Sequence, residues 1–241
     1  MLRSRTTIFL LSALFVGLAL TRTGDPDGPP GDASSVGAPV PAAASGPNPS
    51  QRRLPCPAGG YLCATEDDLG EYRIRRWTRD VGTLVVHVPE PSSETPARAR
   101  LLQSAAAAGV RAWNGHPYPV RVDLRTAEEA HFSIRWSTGL GGRIVGAART
   151  SWAPGRGLAV ASIDLVTRSP FDPDRSVEPE RVRLTAAHEM GHALGLPHSD
   201  SPRDVMYPEN TAASLSARDY RSMESLYALP DGSILIPGPG S

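Results

Sequence analysis

Residues 188–198 read His-Glu-Met-Gly-His-Ala-Leu-Gly-Leu-Pro-His. His188 and His192 lie four positions apart. On a helix their imidazoles project from one face, about a turn apart, a spacing that suits two nitrogens on one zinc ion. Glu189, beside the first histidine, can reach a water at such an ion without being a ligand itself. Gly195 lets the chain leave the helix sharply through a left-handed conformation, which brings His198 back as a third ligand. Three neutral imidazoles leave the fourth tetrahedral position open to water, the mark of a catalytic zinc site and not of a closed structural one. The chemistry this permits is hydrolysis. Zinc acidifies water and polarises a carbonyl, while Glu189 takes a proton from the attacking water and passes it to the leaving group. No activated Ser or Cys is needed.

The elements that must position these residues are visible around them. Arg181 to Leu194 reads as a helix, with Pro179 near its start and Gly195 as its stop. Ala97 to Asn114 is a second helix, rich in Ala, Leu and Arg, stopped by Gly115 and Pro117. Ser216 to Leu229 is a third, and Ser216-Ala-Arg-Asp219 resembles a capping box. Strand signals run over Thr83–Val88, Val120–Leu124, Ala130–Trp136, Arg143–Trp152 and Leu158–Thr167. The last two flank Ala153-Pro-Gly-Arg-Gly157, a turn-rich spacer that predicts a hairpin.

Composition removes several alternatives. Charge balances at 25 basic against 25 acidic residues, so no field favours nucleic acid or an anionic membrane. Every basic residue is Arg, which excludes a Schiff-base or P-loop lysine. Two Cys cannot form a four-Cys zinc site. Arg3 and Arg5 precede an apolar stretch from Ile8 to Leu20, which reads as a secretory signal or, if uncleaved, an N-terminal anchor over 1–20. The expected location is therefore secreted or extracytoplasmic. Residues 21–69 read as a disordered Pro/Gly/Ala-rich linker holding a small Cys56–Cys63 disulfide loop; the alternative is a thiolate that caps a metal. Residues 70–230 read as the domain, and 231–241 as a flexible tail.

The motif resembles that of the metzincin zinc endopeptidases. Met206, eight residues after His198, resembles the methionine of their Met-turn. The run His198-Ser-Asp-Ser-Pro-Arg-Asp-Val-Met-Tyr-Pro208 is similar to the matrixin, or matrix-metalloproteinase-like, branch. So are Leu215-Ser-Ala-Arg-Asp219 with Leu226-Tyr227, Ala153-Pro-Gly ahead of a strand, and Ala186-Ala187 before His188. The resemblance spans about 70–230 and is strongest over 184–227. It implies an α/β (α+β) metzincin-like fold: a twisted, mostly parallel five-stranded sheet, an active-site helix, a C-terminal helix, and a zinc cleft between two subdomains. It further implies a zinc endopeptidase with one catalytic Zn2+ on His188, His192 and His198, and Glu189 as general base and acid. Gly195, Met206 and Tyr207 would support the site. The polypeptide substrate would lie antiparallel to an edge strand within Ile144–Trp152, touching Ile144, Val145, Gly146 and Ala147, with Leu184, Tyr207 and Pro208–Asn210 as candidate pocket walls. For Leu184 plain packing is the favoured reading.

The sequence also departs from the family. The stretch Gly139–Gly142, where a structural zinc would be bound, has neither the His nor the Asp of the family's His-x-Asp pair. The calcium-binding acidic strand is reduced to Asp164. Asp172, Asp174 and Glu178 could hold a calcium, but a solvated acidic loop is the better reading. His87, His116 and His131 are scattered and read as packing or surface residues. The expected partner is a polypeptide, with no nucleic acid, no stable membrane span and a monomeric chain. Two other functions fit the same residues: a non-peptidase zinc hydrolase on this fold, and a zinc-binding adhesion module without turnover.

Overall fold

The computed structural model describes residues 52–64 and 72–236. The expected signal or anchor over 1–20, most of the linker, and residues 237–241 of the expected tail lie outside the described residues.

Five strands form the central sheet: β3 (Leu84–His87), β4 (Val120–Asp123), β5 (Phe132–Ser137), β6 (Gly146–Ala153) and β7 (Gly157–Val166), following two short strands, β1 (Arg53–Pro55) and β2 (Tyr72–Arg73). Their order is β4-β3-β5-β7-β6. The first four run parallel, and β6 returns antiparallel to β7 through the predicted hairpin. The sheet is thus mostly parallel, as the resemblance implies. β7 is buried almost throughout, as a strand covered on both faces must be, whereas β6 is half-buried and forms an edge.

Two helices pack on this sheet. Helix α1 (Pro96–Arg111) begins with Pro in its first turn, where the missing N–H costs nothing. Helix α2 (Pro179–Ala193) begins the same way and carries the histidine motif. The helices approach closely because Gly109 has no side chain: a Cβ there would fall 2.2 Å from the Arg183 carbonyl oxygen. Helix α3 (Ala217–Ala228) has the expected capping box, with the Ser216 hydroxyl accepting from the Asp219 N–H and the Asp219 carboxylate accepting from the Ser216 N–H.

Two boundaries need correction. The Cys56–Cys63 disulfide forms, but residues 52–64 are not disordered: Tyr61 and Leu62 are buried in the core. Nor is the chain frayed after 230. A third strand, β10 (Ile234–Ile236), lies between β1 and β2, parallel to one and antiparallel to the other. Strands of two or three residues have too few side chains to show a period. A hairpin of β8 (Arg168–Ser169) and β9 (Asp172–Ser176) likewise escaped the pattern.

The second correction gives a direct expectation. Leu235 is fully buried, so Leu235→Ala should cost about 2–4 kcal/mol in urea unfolding. In a frayed tail the same change would cost nothing measurable.

Candidate metal centre

The end of α2 is built to present its histidines rigidly. Gly195 adopts φ +105°. Its N–H donates to the His192 carbonyl (2.9 Å), and the Leu196 N–H donates to the Gly191 carbonyl (2.9 Å). This pair of bonds is a Schellman motif, which stops the helix with its carbonyls satisfied. The next carbonyls are capped by aromatic side chains: Trp77 Nε1 donates to Ala193, Tyr227 Oη to Leu194 and Tyr72 Oη to Gly195. An otherwise orphaned helix end is thus fixed from three directions.

Beyond that turn the chain returns His198. The ring centroids of His188, His192 and His198 lie 4.7–5.3 Å apart. One potential ligand nitrogen from each lies within 4.8 Å of the others. Among the described residues this is the one group of three such side chains. The outer contacts orient the rings: His188 Nδ1 is 2.7 Å from the Val205 carbonyl, and His192 Nδ1 is 2.8 Å from the Leu196 carbonyl. A carbonyl can only accept, so each Nδ1 carries the proton and each Nε2 lone pair is free for a metal.

Met206 is fully buried directly under α2. A Cβ on Gly191 would come 2.2 Å from its sulfur and 3.1 Å from Trp113, so glycine is required there for the methionine to pack. Tyr207 is half-buried, and its N–H donates to the Asp204 carbonyl within the same turn. Asn210, at φ +48°, donates from Nδ2 to Thr185 Oγ1 (3.1 Å), tying the 208–210 segment to α2. Pro208 is exposed and Leu184 half-buried.

Glu189 is held by a group the sequence could not reveal. The Ala148 N–H of edge strand β6 donates to Glu189 Oε2 (2.8 Å). Gly146 lies so close that a Cβ would meet Thr185 Cγ2 at 2.4 Å and Glu189 Oε1 at 3.0 Å. Gly146 and Ala147 open β6; Ile144, which is exposed, and Val145 precede it. The backbone contact from Ala148 has no side-chain signature, which is why it was missed.

The other candidate ligands do not converge. His131 Nδ1 accepts from the Val85 N–H, His87 pairs with Ser133, and His116 lies tilted against Tyr220. Asp164 is buried, but its carboxylate is engaged by Arg149 (2.5 Å), Arg135 (3.0 Å) and Ser162 (2.8 Å). Burial raises its pKa, yet these hydrogen bonds and charges outweigh that and hold it below the usual range. Two guanidiniums thus neutralise this carboxylate. Asp172, Asp174 and Glu178 are exposed, the first two on the β9 hairpin strand.

Residues 118–228 match the family model described as matrixin. Over those residues the chain is similar to the matrixins. The macrophage metalloelastase of Rattus norvegicus is 39% identical over 72 residues, covering 28% of this chain and 16% of that protein. The neutrophil collagenase of Homo sapiens is 40% identical over 63 residues, covering 24% and 14%. The matrilysin of Felis catus is 34% identical over 94 residues, covering 37% and 28%. The aligned part of the chain therefore spans between about a seventh and just over a quarter of these relatives. The cofactor of a matrixin-like centre is a catalytic Zn2+, and a cluster of three imidazoles fits it.

Electrostatics at the matrixin-like centre give a testable pH dependence. Burial pushes His188 down to about 4 and holds His192 well below 6.5; burial pushes Glu189 up to about 7, partly opposed by the Ala148 N–H. Histidines lowered in the fold lose stability as pH falls below 6.5. A raised carboxyl does the reverse, its contribution fading as pH rises from about 4.5 to about 7. Between pH 4.5 and 6.5 Glu189 thus offsets one of the two histidines. Metal-free Glu189→Gln should gain stability with pH more steeply than the metal-free parent over that window, read by urea unfolding in chelator. Equal slopes would mean Glu189 holds no proton near neutrality.

Proposed function

We propose that this chain is an exported zinc endopeptidase that cleaves internal bonds of extended polypeptides. The observation that carries this reading is the pairing of the three-imidazole cluster with a buried Glu189 tied to edge strand β6. His188, His192 and His198 would hold the zinc, which when bound supplies Lewis acidity toward water and a carbonyl oxygen. Glu189, with Oε2 held by Ala148, has Oε1 to take a proton from the attacking water and return it to the leaving amine. Gly195, Met206 and Tyr207 would keep the ligand helix and the turn beneath it in place.

An edge strand can take an extended peptide as an added strand through backbone hydrogen bonds, whatever its sequence. Ile144, Val145, Gly146 and Ala147 would contact it on that side, and Pro208, on the segment tied to α2 by Asn210, on the other. Two relatives are named a collagenase and a metalloelastase, which supports a protein substrate. Export rests on the N-terminal Arg3, Arg5 and Ile8–Leu20 pattern. No helix among the described residues is long and apolar enough to cross a membrane.

The test is cleavage of a degenerate peptide library by zinc-loaded protein, with chelator and Glu189→Ala controls. Internal cleavage abolished by both is expected. A zinc-loaded protein that cleaves no peptide would overturn the proposal in favour of another hydrolase or a binding module.

A further inference from the structure

We propose that the Cys56–Cys63 loop is a positioning device for the metal centre, acting through the Tyr61 hydroxyl; this rests on the zinc-site reading above. The connection is a continuous chain of hydrogen bonds. Tyr61 Oη donates to Asp219 Oδ1 (2.7 Å). Asp219 Oδ2 accepts from the Val205 N–H (3.0 Å) and the Ser216 N–H (2.7 Å). The carbonyl of the same Val205 accepts from His188 Nδ1 (2.7 Å). Tyr61 is a positioning residue: it touches no reacting atom and acts on His188 through two others.

The loop is seated firmly enough to exert this effect. The Tyr61 N–H donates to Ser222 Oγ (2.9 Å), and Arg221 Nε donates to the Gly59 carbonyl (2.9 Å). A Cβ on Gly60 would come 2.8 Å from Ser222 Oγ, so the loop backbone lies directly on α3. The Arg218 guanidinium covers the Tyr61 ring at 5.5 Å while pairing with Asp204 and Asp200. Tyr61 and Asp219 are both buried from solvent. Burial, reinforced by the Asp219 charge, raises the phenol pKa and keeps it a fixed donor. A buried carboxylate needs its donors. With one of three removed, the Asp219 carboxylate is free to turn, and the Val205 carbonyl that orients His188 shifts with it.

Tyr61→Phe tests this, because it keeps the ring and removes one donor. Losing a ligand's direct outer partner typically weakens metal binding ~10–100-fold; two links further out, a smaller weakening of ~3–10-fold is expected. The readouts are zinc affinity by competition with a chromophoric chelator and the visible spectrum of the Co2+-substituted protein. Both are taken well below the melting temperature. Leu84→Ala, in β3 and outside the loop, is the control. It should lower the melting temperature by removing a buried side chain, yet leave zinc affinity and the Co2+ spectrum unchanged. If Tyr61→Phe binds zinc as the parent does, with the same spectrum, the inference is overturned while the zinc-site reading stands. A parent that takes up no zinc overturns both.

Discussion

Glu189→Gln is expected to keep its zinc and lose at least ~100-fold in peptide hydrolysis. Glutamine preserves the size of the side chain, and its carbonyl oxygen can still accept from the Ala148 N–H that holds Oε2 in the parent. What disappears is the ability to carry a proton. One residue would serve both transfers, so the loss compounds. His192→Ala should behave differently. It removes an imidazole from the ligand face of α2, so zinc content and activity should fall together. Zinc analysis and peptide hydrolysis on both variants separate the two effects. A Glu189→Gln protein that holds zinc and turns over near the parent rate would rule out the proposed proton transfer.

The second large effect is structural. Gly195→Ala places a Cβ 2.1 Å from the Arg75 carbonyl oxygen at φ +105°. The obstacle is backbone, so no flexible side chain can yield. The backbone strain costs ~1–2 kcal/mol and the overpacking another ~1–3 kcal/mol. Because Gly195 also directs the chain towards His198, zinc affinity should fall with stability. Gly82→Ala is the internal comparison. Gly82 sits at φ +65° with nothing within 4 Å of its Cβ position, so it should show the strain cost alone. Equal urea midpoints for the two variants would count against the packing argument.

What could be read in the sequence was whatever local spacing decides. The helix under His188 and His192, its stop at Gly195, the β6–β7 hairpin and the Ser216–Asp219 cap are all relations within a few residues, and each appears in the structure. What could not be read joins distant segments. Tyr61 meets Asp219 across 158 residues, and Arg135 meets Asp164 across 29. Nothing near Asp164 in sequence announces the two arginines that engage it. The Ala148 N–H is invisible for another reason: backbone groups are the same at every position, so only the fold selects which one meets Glu189. The short strands β1 and β10 are stabilised by their partners, not by their own pattern, and so read as linker and tail.

The parallel pairing of β1 with β10 has a mechanical consequence. Arg53–Pro55 and Ile234–Ile236 run side by side in the same direction. Tension applied through the chain before residue 52 and after residue 236 would slide one strand along the other. The load then falls on the ladder bonds in shear, together, instead of unzipping them one at a time. The Cys56–Cys63 bond lies immediately behind β1, so covalent linkage limits how far a pulled N-terminal segment can extend. Held at one end and pulled at the other, the domain resists at this small sheet first, which shields the histidine cluster from the force.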